Sequence, residues 1–313
     1  MNARRLIIDC DPGQDDAVAL LLAFASKDEL DLAGITCVAG NVALRMTVRN
    51  ALRVRELAGR LDVPVFAGCP RPMMRKLETA EEVHGKTGLD GVDLPEPSLG
   101  VDPCHAVFFF IETCRSAPKG GLTVCPIGPL TNIALALIMA PDIRSHIREI
   151  VLMGGVALGP GNITPAAEFN IYVDPHAAKV VFDSGIHLTM LGLDVTHKAI
   201  ATPARRAAIE AVATPAAKAV GQILAYYDRC DVERYGVPGA PLHDPCVIAY
   251  ILRPELFDGR ECHVAVETAD GLALGRTVTD WWGKSDQPKN CRVITEIDAD
   301  GFFNLLTEYL GKV

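Results

Sequence analysis

No stretch of this 313-residue chain approaches the roughly 18 to 20 consecutive apolar residues that a membrane-spanning helix needs. The N-terminus lacks an export signal as well: Leu6-Ile7-Ile8 is too short for a signal-peptide core and runs straight into Asp9. None of the 10 cysteines sits at C-x-x-C spacing, which argues against a disulfide framework or a zinc knuckle. They read as reduced thiols of a cytoplasmic protein, mostly small core residues. A basic excess is missing too. The 30 Lys and Arg are outnumbered by 39 Asp and Glu, a formal charge of −9. Nucleic acid needs clustered cations, and so does an anionic membrane surface, so neither is an expected partner. There is no Gly/Ser linker, solenoid-period repeat or low-complexity tract, and residues 1–313 are expected to form one domain.

What is present is ordinary globular composition, 49% hydrophobic and 22% charged. The first two thirds alternate between short apolar runs and helical periodicity. Strands are expected at 5–9, 32–38, 64–66, 122–125, 149–153 and 188–191. Helices are expected at 15–25, 43–58, 104–115, 130–139 and 175–182. In the second of these helices Val48, Leu52 and Leu57 should face inward. Such alternation implies an α/β fold, a mostly parallel, Rossmann-like central sheet flanked by helices. After about residue 202 the rhythm changes. Helices around 204–213 and 217–227 precede a Gly/Pro-rich loop and a helix ending at 252. Segments 262–267, 275–279 and 292–296 look like a few hairpin-joined, antiparallel C-terminal strands, followed by a closing helix. Two loops, 68–103 and 154–170, are long for a compact domain. Both follow strands, so both should overhang the carboxyl edge of the sheet, where ligands bind in open parallel sheets.

The strongest local signal is Asp9-Cys10-Asp11-Pro12-Gly13-Gln14-Asp15-Asp16, an apolar strand entering four carboxylates within eight residues. Like charges this close cannot all stay ionised without a partner, and the segment contains no Lys or Arg. An oxygen-only donor set selects a hard cation, Ca²⁺ or Mg²⁺. Pro12-Gly13 turns the chain so that Asp11 can meet Asp15 and Asp16. Helix capping accounts for one or two of these acids but not four. An EF-hand is excluded: counting from Asp9, the sixth position is Gln14 and the twelfth Leu20.

Weaker constellations lie further along. Gly40-Asn41 follows the second strand. His84-Gly85-Lys86-Thr87-Gly88 imitates the end of a Walker loop, but Ala80 stands where that motif requires glycine and no strand precedes it, so it reads as a lid carrying a histidine. Met153-Gly154-Gly155 ends a strand, and the amides Asn162 and Asn170 with Glu168 suit recognition of a polyol. His243-Asp244-Pro245 begins a late helix, where Asp244 could cap and His243 could move a proton. The pairs Trp281-Trp282 and Tyr226-Tyr227 read as core or interface aromatics.

Taken together, Asp9-x-Asp11-Pro12-Gly13-x-Asp15-Asp16, Gly40-Asn41, His84-Gly85-x-x-Gly88, Gly128-Pro129-Leu130-Thr131-Asn132, Met153-Gly154-Gly155, Asn162 to Glu168-Phe169-Asn170 and His243-Asp244-Pro245 resemble, in order and spacing, the inosine-uridine-preferring nucleoside hydrolases. The resemblance implies hydrolysis of the N-glycosidic bond of ribonucleosides to free base and ribose. It implies a Ca²⁺ site formed by Asp11, Asp16, the Ile127 carbonyl and Asp244, with Asp11 as the base that activates water. It places Asp15 and Asn41 on the ribose 2′-hydroxyl, Asn170 and Asp244 on the 3′-hydroxyl, and Asn162 with Glu168 on the 5′-hydroxyl. Met153 packs under the sugar, His84 closes over the site, and His243 is the proton donor to the departing base. Asp9 is an outer support, and the stretch 226–236 shapes the base pocket without revealing purine or pyrimidine preference. Members of the family tend to be homodimers or homotetramers.

Two other readings compete. A haloacid-dehalogenase-like phosphatase also opens with a strand and Asp-x-Asp, but would use Asp9 as a covalent nucleophile and needs a later Lys and acidic pair, which are not in convincing positions. A non-catalytic nucleoside-binding protein would keep the pocket without turnover, yet Asp11 and His243 are both retained.

Overall fold

The computed structural model describes residues 3–236 and 238–313. In chain order the elements are β1 (Arg4–Cys10), α1 (Gln14–Ala25), β2 (Leu30–Cys37), α2 (Leu44–Leu57), β3 (Val65–Ala67), α3 (Glu81–His84), α4 (Ala106–Ser116), β4 (Leu122–Pro126), α5 (Thr131–Met139), β5 (Ile147–Met153), α6 (Phe169–Val173) and α7 (Pro175–Phe182). There follow β6 (Leu188–Leu191), α8 (Leu193–Thr196), α9 (Pro203–Glu210), α10 (Pro215–Tyr235), α11 (Pro245–Leu252), β7 (Phe257–Val266), β8 (Thr277–Asp280), β9 (Cys291–Ile297) and α12 (Ala299–Leu310).

The strands form one sheet in the order β3-β2-β1-β4-β5-β6-β9-β7-β8. All pairings from β3 to β9 are parallel, and β7 runs antiparallel to both β9 and β8. The expectation of α/β architecture with a mostly parallel sheet and an antiparallel C-terminal part therefore holds. The pairing within that part differs from a simple run of hairpins. The β9 strand inserts between β6 and β7 and extends the parallel sheet, so only the β7–β8 hairpin lies beyond it.

The central strands show why they sit inside. Residues Leu6 to Cys10 of β1 are all buried, the continuous pattern of a strand covered on both faces. Every residue of α1 is buried, including Gln14, Asp15 and Asp16. Its Ala/Leu-rich run has no polar face, so it packs on all sides, against α2, α10, α11 and α12. Two large apolar clusters line opposite faces of the sheet, one built around α1 and α11, the other around α4, α5 and α7.

Some boundaries moved for physical reasons. Helix α10 continues to Tyr235, beyond the expected end at 227, because the first chain breaker is Gly236. In α2 the buried stripe is Thr47, Asn50, Ala51 and Val54, joined by Leu52, while Val48 and Leu57 are half-buried at its edge. The stripe is partly polar because Asn50 donates to the carbonyls of Pro12 (2.9 Å) and Thr87 (2.7 Å), pinning the turn that follows β1. The nine described cysteines are free, and all but Cys104 are buried. Among the described residues no helix is long and apolar enough to cross a membrane.

Because α1 is enclosed on every side, Leu22→Ala should lower stability by about 2–5 kcal/mol in urea unfolding, whereas Phe108→Ala, on the exposed face of α4, should stay within about 0.5 kcal/mol. Similar small losses for both would contradict the buried placement of α1.

Candidate active site

The strand order reverses around β1, whose neighbours are β2 on one side and β4 on the other. The crevice beyond such a switch point is where open α/β sheets bind ligands. Asp11 leaves the end of β1 and Ile127 the end of β4, so the topology sets both at that crevice. A cleft partly open to solvent occupies it.

The turn after β1 is built around buried carboxylates. Asp16 Oδ2 accepts the Gly13 N–H at 3.0 Å and closes the start of α1, and its Oδ1 accepts the Asp11 N–H at 3.1 Å. Capping is thus part of what this acid does, but the cluster reaches further. The carboxylates of Asp15, Asp16 and Asp244 bring oxygens within 4.8 Å of one another. Asp244 arrives from the residue just before α11, 228 positions after Asp16 in the chain. Asp11 stands beside this trio. Its Oδ2 accepts the Asn41 N–H at 2.7 Å, and its Oδ1 is buried with no partner. Glycine is required on both sides of that side chain. A Cβ at Gly40 would fall 2.1 Å from Oδ2, and one at Gly128 would fall 2.3 Å from Oδ1.

Burial raises the proton affinity of Asp11, Asp16 and Asp244. Asp11 and Asp244 are pushed well above the ordinary carboxylate range by desolvation first and by neighbouring Asp charges next. Asp16 is pushed up to about 6 by desolvation, against the pull of the amide groups that bond it. Two like charges about 4.8 Å apart repel by roughly 3–4 kcal/mol at an effective dielectric near 20. No Lys or Arg lines the cleft among the described residues. An all-oxygen donor set, a buried carboxylate oxygen without a partner and mutual repulsion fit a hard divalent cation. Of the expected ligands, Asp16 and Asp244 meet directly, Asp11 lies one hydrogen bond away, and Ile127 lines the cleft with its carbonyl accepting Asn170 Nδ2 at 3.0 Å.

The remaining expected residues converge on the same cleft: Asp15, Asn41, His84, Met153, Asn162, Glu168, Asn170 and His243 all line it. Asn41 Nδ2 reaches Asp16 Oδ2 and the Asp11 carbonyl, both at 3.2 Å. Asn170 Nδ2 also approaches the carbonyl and sulfur of Met153. Glu168 accepts three backbone N–H groups, from Gly155, Asn170 and Ile171, while burial pushes it up to about 7. Asn162 Oδ1 accepts the Phe169 N–H at 2.9 Å.

The two histidines are held differently. His84, on α3, is buried against the Gly13-Gln14 turn. The Gln14 amide Nε2 donates to the carbonyls of His84 (3.1 Å) and Asp90 (3.5 Å), which orients Oε1 toward His84 Nδ1 at 2.5 Å. The Gln14 backbone N–H also points at Nδ1, but from 3.4 Å, so the shorter contact decides. Nδ1 therefore carries the proton, and Nε2 is left as an acceptor. Burial lowers this ring to about 4, keeping it neutral near pH 7. His243 Nδ1 lies 2.8 Å from Thr196 Oγ1, and its ring packs edge-on against His197 at 5.5 Å between centroids. Burial first, and the neighbouring His197 and His84 next, hold it well below its usual range. His197 is thus a neighbour that the sequence did not single out.

Sequence reasoning gave Phe169 no role of its own and took Tyr227 only as part of the stretch expected at the base pocket. Phe169 and Tyr227 line the cleft, and Tyr227 lies 5.8 Å from the His84 ring. Phe169 packs with Ala80 and Val173 in a small apolar cluster at the rim. Its position between Glu168 and Asn170 was the available signal. Of the stretch 226–236 expected to shape a base pocket, Tyr227 is placed there, and the side chains of residues 228–235 lie outside the described residues. Asp9 is fully buried, with Oδ1 accepting Thr36 Oγ1 and Asn132 Nδ2. It is sequestered from the cleft, which removes the nucleophile that the phosphatase reading requires.

Comparison with known proteins agrees with this geometry. A family profile described as inosine-uridine preferring nucleoside hydrolase matches residues 6–304. The pyrimidine-specific ribonucleoside hydrolase RihA of Photobacterium profundum is 48% identical over 311 residues, covering 99% of both chains. An uncharacterized protein of Schizosaccharomyces pombe is 46% identical over 309 residues, again 99% of both. Among solved structures, a purine-preferring ribonucleoside hydrolase from Gardnerella vaginalis superposes with a TM-score of 0.91 at 32% identity, covering 98% of both chains.

The raised carboxylates set a pH dependence for the protein stripped with chelator. Asp9 and Glu168, each raised to about 7, bind protons in the fold that the unfolded chain has already released. Their contribution is complete below the unfolded values and is lost as pH rises through about 7. The depressed histidines act in the opposite sense, but only below about 6.5. Stability should therefore fall as pH rises from about 4 to about 7, most plainly above about 6.5 where the histidines no longer offset it, by up to about 1.4 kcal/mol per pH unit per proton. A divalent cation at 100 times its Kd should add about 2.7 kcal/mol while leaving the slope set by Asp9 and Glu168 in place. Chelated unfolding curves that gain stability over that range would contradict the buried acidic cluster.

Proposed function

The chain belongs to the inosine-uridine preferring nucleoside hydrolase family and is an N-glycosyl hydrolase of ribonucleosides, and from that premise we propose how its residues divide the work. The observation that carries the assignment is the convergence of Asp11, Asp15, Asp16 and Asp244 with the Ile127 strand end at the switch point of the sheet. Asp11, Asp16, Asp244 and the Ile127 carbonyl hold a Ca²⁺ ion, which when bound supplies the countercharge and Lewis acidity that orient a ribose diol and a water.

Asp11, with its unpartnered Oδ1, takes the proton from the attacking water. Asp15 and Asn41 hold the 2′-hydroxyl, Asn170 and Asp244 the 3′-hydroxyl, and Asn162 with Glu168 the 5′-hydroxyl, above Met153. Breaking the bond to the base builds positive charge on the ribose, and buried carboxylates favour that charge more in the transition state than in the ground state. Negative charge builds on the departing base at the same moment. His84 presents an acceptor nitrogen and is not the donor. His243 is the donor we assign: Thr196 Oγ1 holds Nδ1, and the ring, protonated as negative charge builds on the base, gives up its Nε2 proton and returns to neutral imidazole. Phe169 and Tyr227 offer apolar and aromatic surface to the base. The identity to enzymes named pyrimidine-specific, across nearly the whole length, supports uridine or cytidine as the better substrates. We place the enzyme in the cytoplasm, in keeping with its buried free thiols, and as a homodimer or homotetramer.

The test is incubation with uridine, inosine and a phosphomonoester, with and without EDTA. Free base and ribose are expected, lost with chelator and reduced by a factor of at least about 10³ in Asp11→Ala. Release of phosphate, or tight binding without product, would overturn the assignment. For His243→Ala, kcat on the natural nucleosides should fall by about 10²–10⁴, while p-nitrophenyl riboside, whose leaving group needs no proton, should be largely spared. Equal losses on both substrates would make His243 a positional residue.

A further inference from the structure

The loop after β5 carries Asn162, Glu168 and Asn170, and two bonds of its own tie its limbs: the Gly155 N–H donates to Glu168 Oε2 at 2.8 Å and the Phe169 N–H to Asn162 Oδ1 at 2.9 Å. Residues 161–164 and 165–167 bond to each other in a tight return, with the N–H groups of Asn162, Ile163 and Thr164 all directed at the Ala167 carbonyl. Further support comes from distant parts of the chain. Asp194, in α8, accepts the N–H groups of Ala157, Leu158 and Gly159. Thr277, the first residue of β8, exchanges hydrogen bonds through Oγ1 with both the N–H and the carbonyl of Val156.

Between these, Arg276 inserts its guanidinium. Nη1 donates to the carbonyls of Gly159 (2.9 Å) and Ala166 (3.0 Å), and Nη2 to that of Ala157 (3.1 Å). One planar cation therefore ties the outgoing limb, at 157 and 159, to the returning limb, at 166. Charge-assisted bonds of this kind are stronger than neutral ones, and a rigid fork fixes direction as well as distance. The approach is close. A Cβ at Gly275 would meet the Tyr172 backbone at 2.9 Å, and one at Gly155 would meet Thr277 Cγ2 at 2.8 Å.

We infer that Arg276 is a positioning residue for the far end of the sugar: by clamping both limbs of the 154–170 loop, it sets Asn162 and Glu168 to recognise the ribose 5′-hydroxyl. The inference rests on the assignment of that hydroxyl to Asn162 and Glu168 made above. It gives the β7–β8 hairpin, the outermost part of the sheet, a part in substrate selection. Arg276 acts through the loop and touches no substrate.

The experiment compares a nucleoside that the enzyme turns over, uridine or inosine, with its 5′-deoxy counterpart, in the wild type, Arg276→Met and Arg276→Lys. The wild type should prefer the 5′-hydroxylated substrate in kcat/KM by at least about tenfold. In Arg276→Met, kcat/KM on that substrate should drop by about 10²-fold, the scale on which small misplacements act. The 5′-deoxy substrate should lose less than about threefold, so the preference collapses toward one. Arg276→Lys keeps the charge but not the fork and should fall between. It also carries the test if the Met variant does not fold by circular dichroism. Equal loss on both substrates, or a preference unchanged in a folded variant, overturns the positioning role. A wild type indifferent to the 5′-hydroxyl instead overturns the underlying subsite, and the inference with it.

Discussion

The repulsion among buried carboxylates governs this molecule. Folding brings Asp15, Asp16 and Asp244 within 4.8 Å of one another, with Asp11 beside them, in a place from which water is largely removed. Left to themselves, such groups bind protons, and burial raises the proton affinity of Asp11, Asp16 and Asp244. The chain invests several residues in limiting that cost without abolishing it. The amides of Gly13, Asp11 and Asn41 point at the acids, and Gly40 and Gly128 leave room for Asp11. What remains is an unbalanced negative site that a divalent cation and a sugar developing positive charge both relieve. Binding and catalysis then draw on one source of free energy.

That arrangement depends on the topology. Reversal of strand order at β1 opens the crevice into which the β1, β4 and β5 ends deliver Asp11, Ile127 and Met153. The other half of the site comes from sequence-distant segments laid over it. The α3 turn brings His84, the residue ahead of α11 brings Asp244, and the β7–β8 hairpin fastens the loop that carries Glu168. A nine-stranded sheet whose last strand in sequence lies inside it, between β6 and β7, makes this possible. Insertion of β9 is what carries β7 and β8 far enough along the sheet to reach that loop.

Much of this was legible in the residues alone because charge clustering and strand-helix alternation are local. Four acids within eight residues after an apolar strand announce a cation, and Gly40-Asn41 or Met153-Gly154-Gly155 announce strand ends. The parts that were not legible are those in which one element corrects another. Val48 and Leu57 looked like the inward face of α2, but the demand of the Pro12 carbonyl for a donor rotates Asn50 inward. His84 read as a lid residue, and nothing in its own neighbourhood showed that Gln14, seventy positions earlier, fixes which ring nitrogen carries the proton. Arg276 drew no notice because a single arginine in a hairpin has no pattern. Its meaning lies in three carbonyls more than a hundred residues away. The antiparallel C-terminal strands were legible, but not the place of β9 between β6 and β7, because sequence order alone does not say which edge a late strand joins.

The lining of the cleft also explains a choice of substrate that no single residue makes. Its described walls present Asp15, Glu82, Glu168 and Asp244, two histidines that burial keeps neutral, and no lysine or arginine. A phosphate carried on the 5′-oxygen would enter beside Glu168, a carboxyl group that accepts three backbone N–H bonds and brings no cation to the ligand. Desolvating a dianion there, without a counter-ion, costs more than its contacts can return. A neutral sugar has no such penalty, and it gains attraction as its ring becomes cationic. The negative field that favours departure of the base would therefore also disfavour a phosphate ester of the nucleoside.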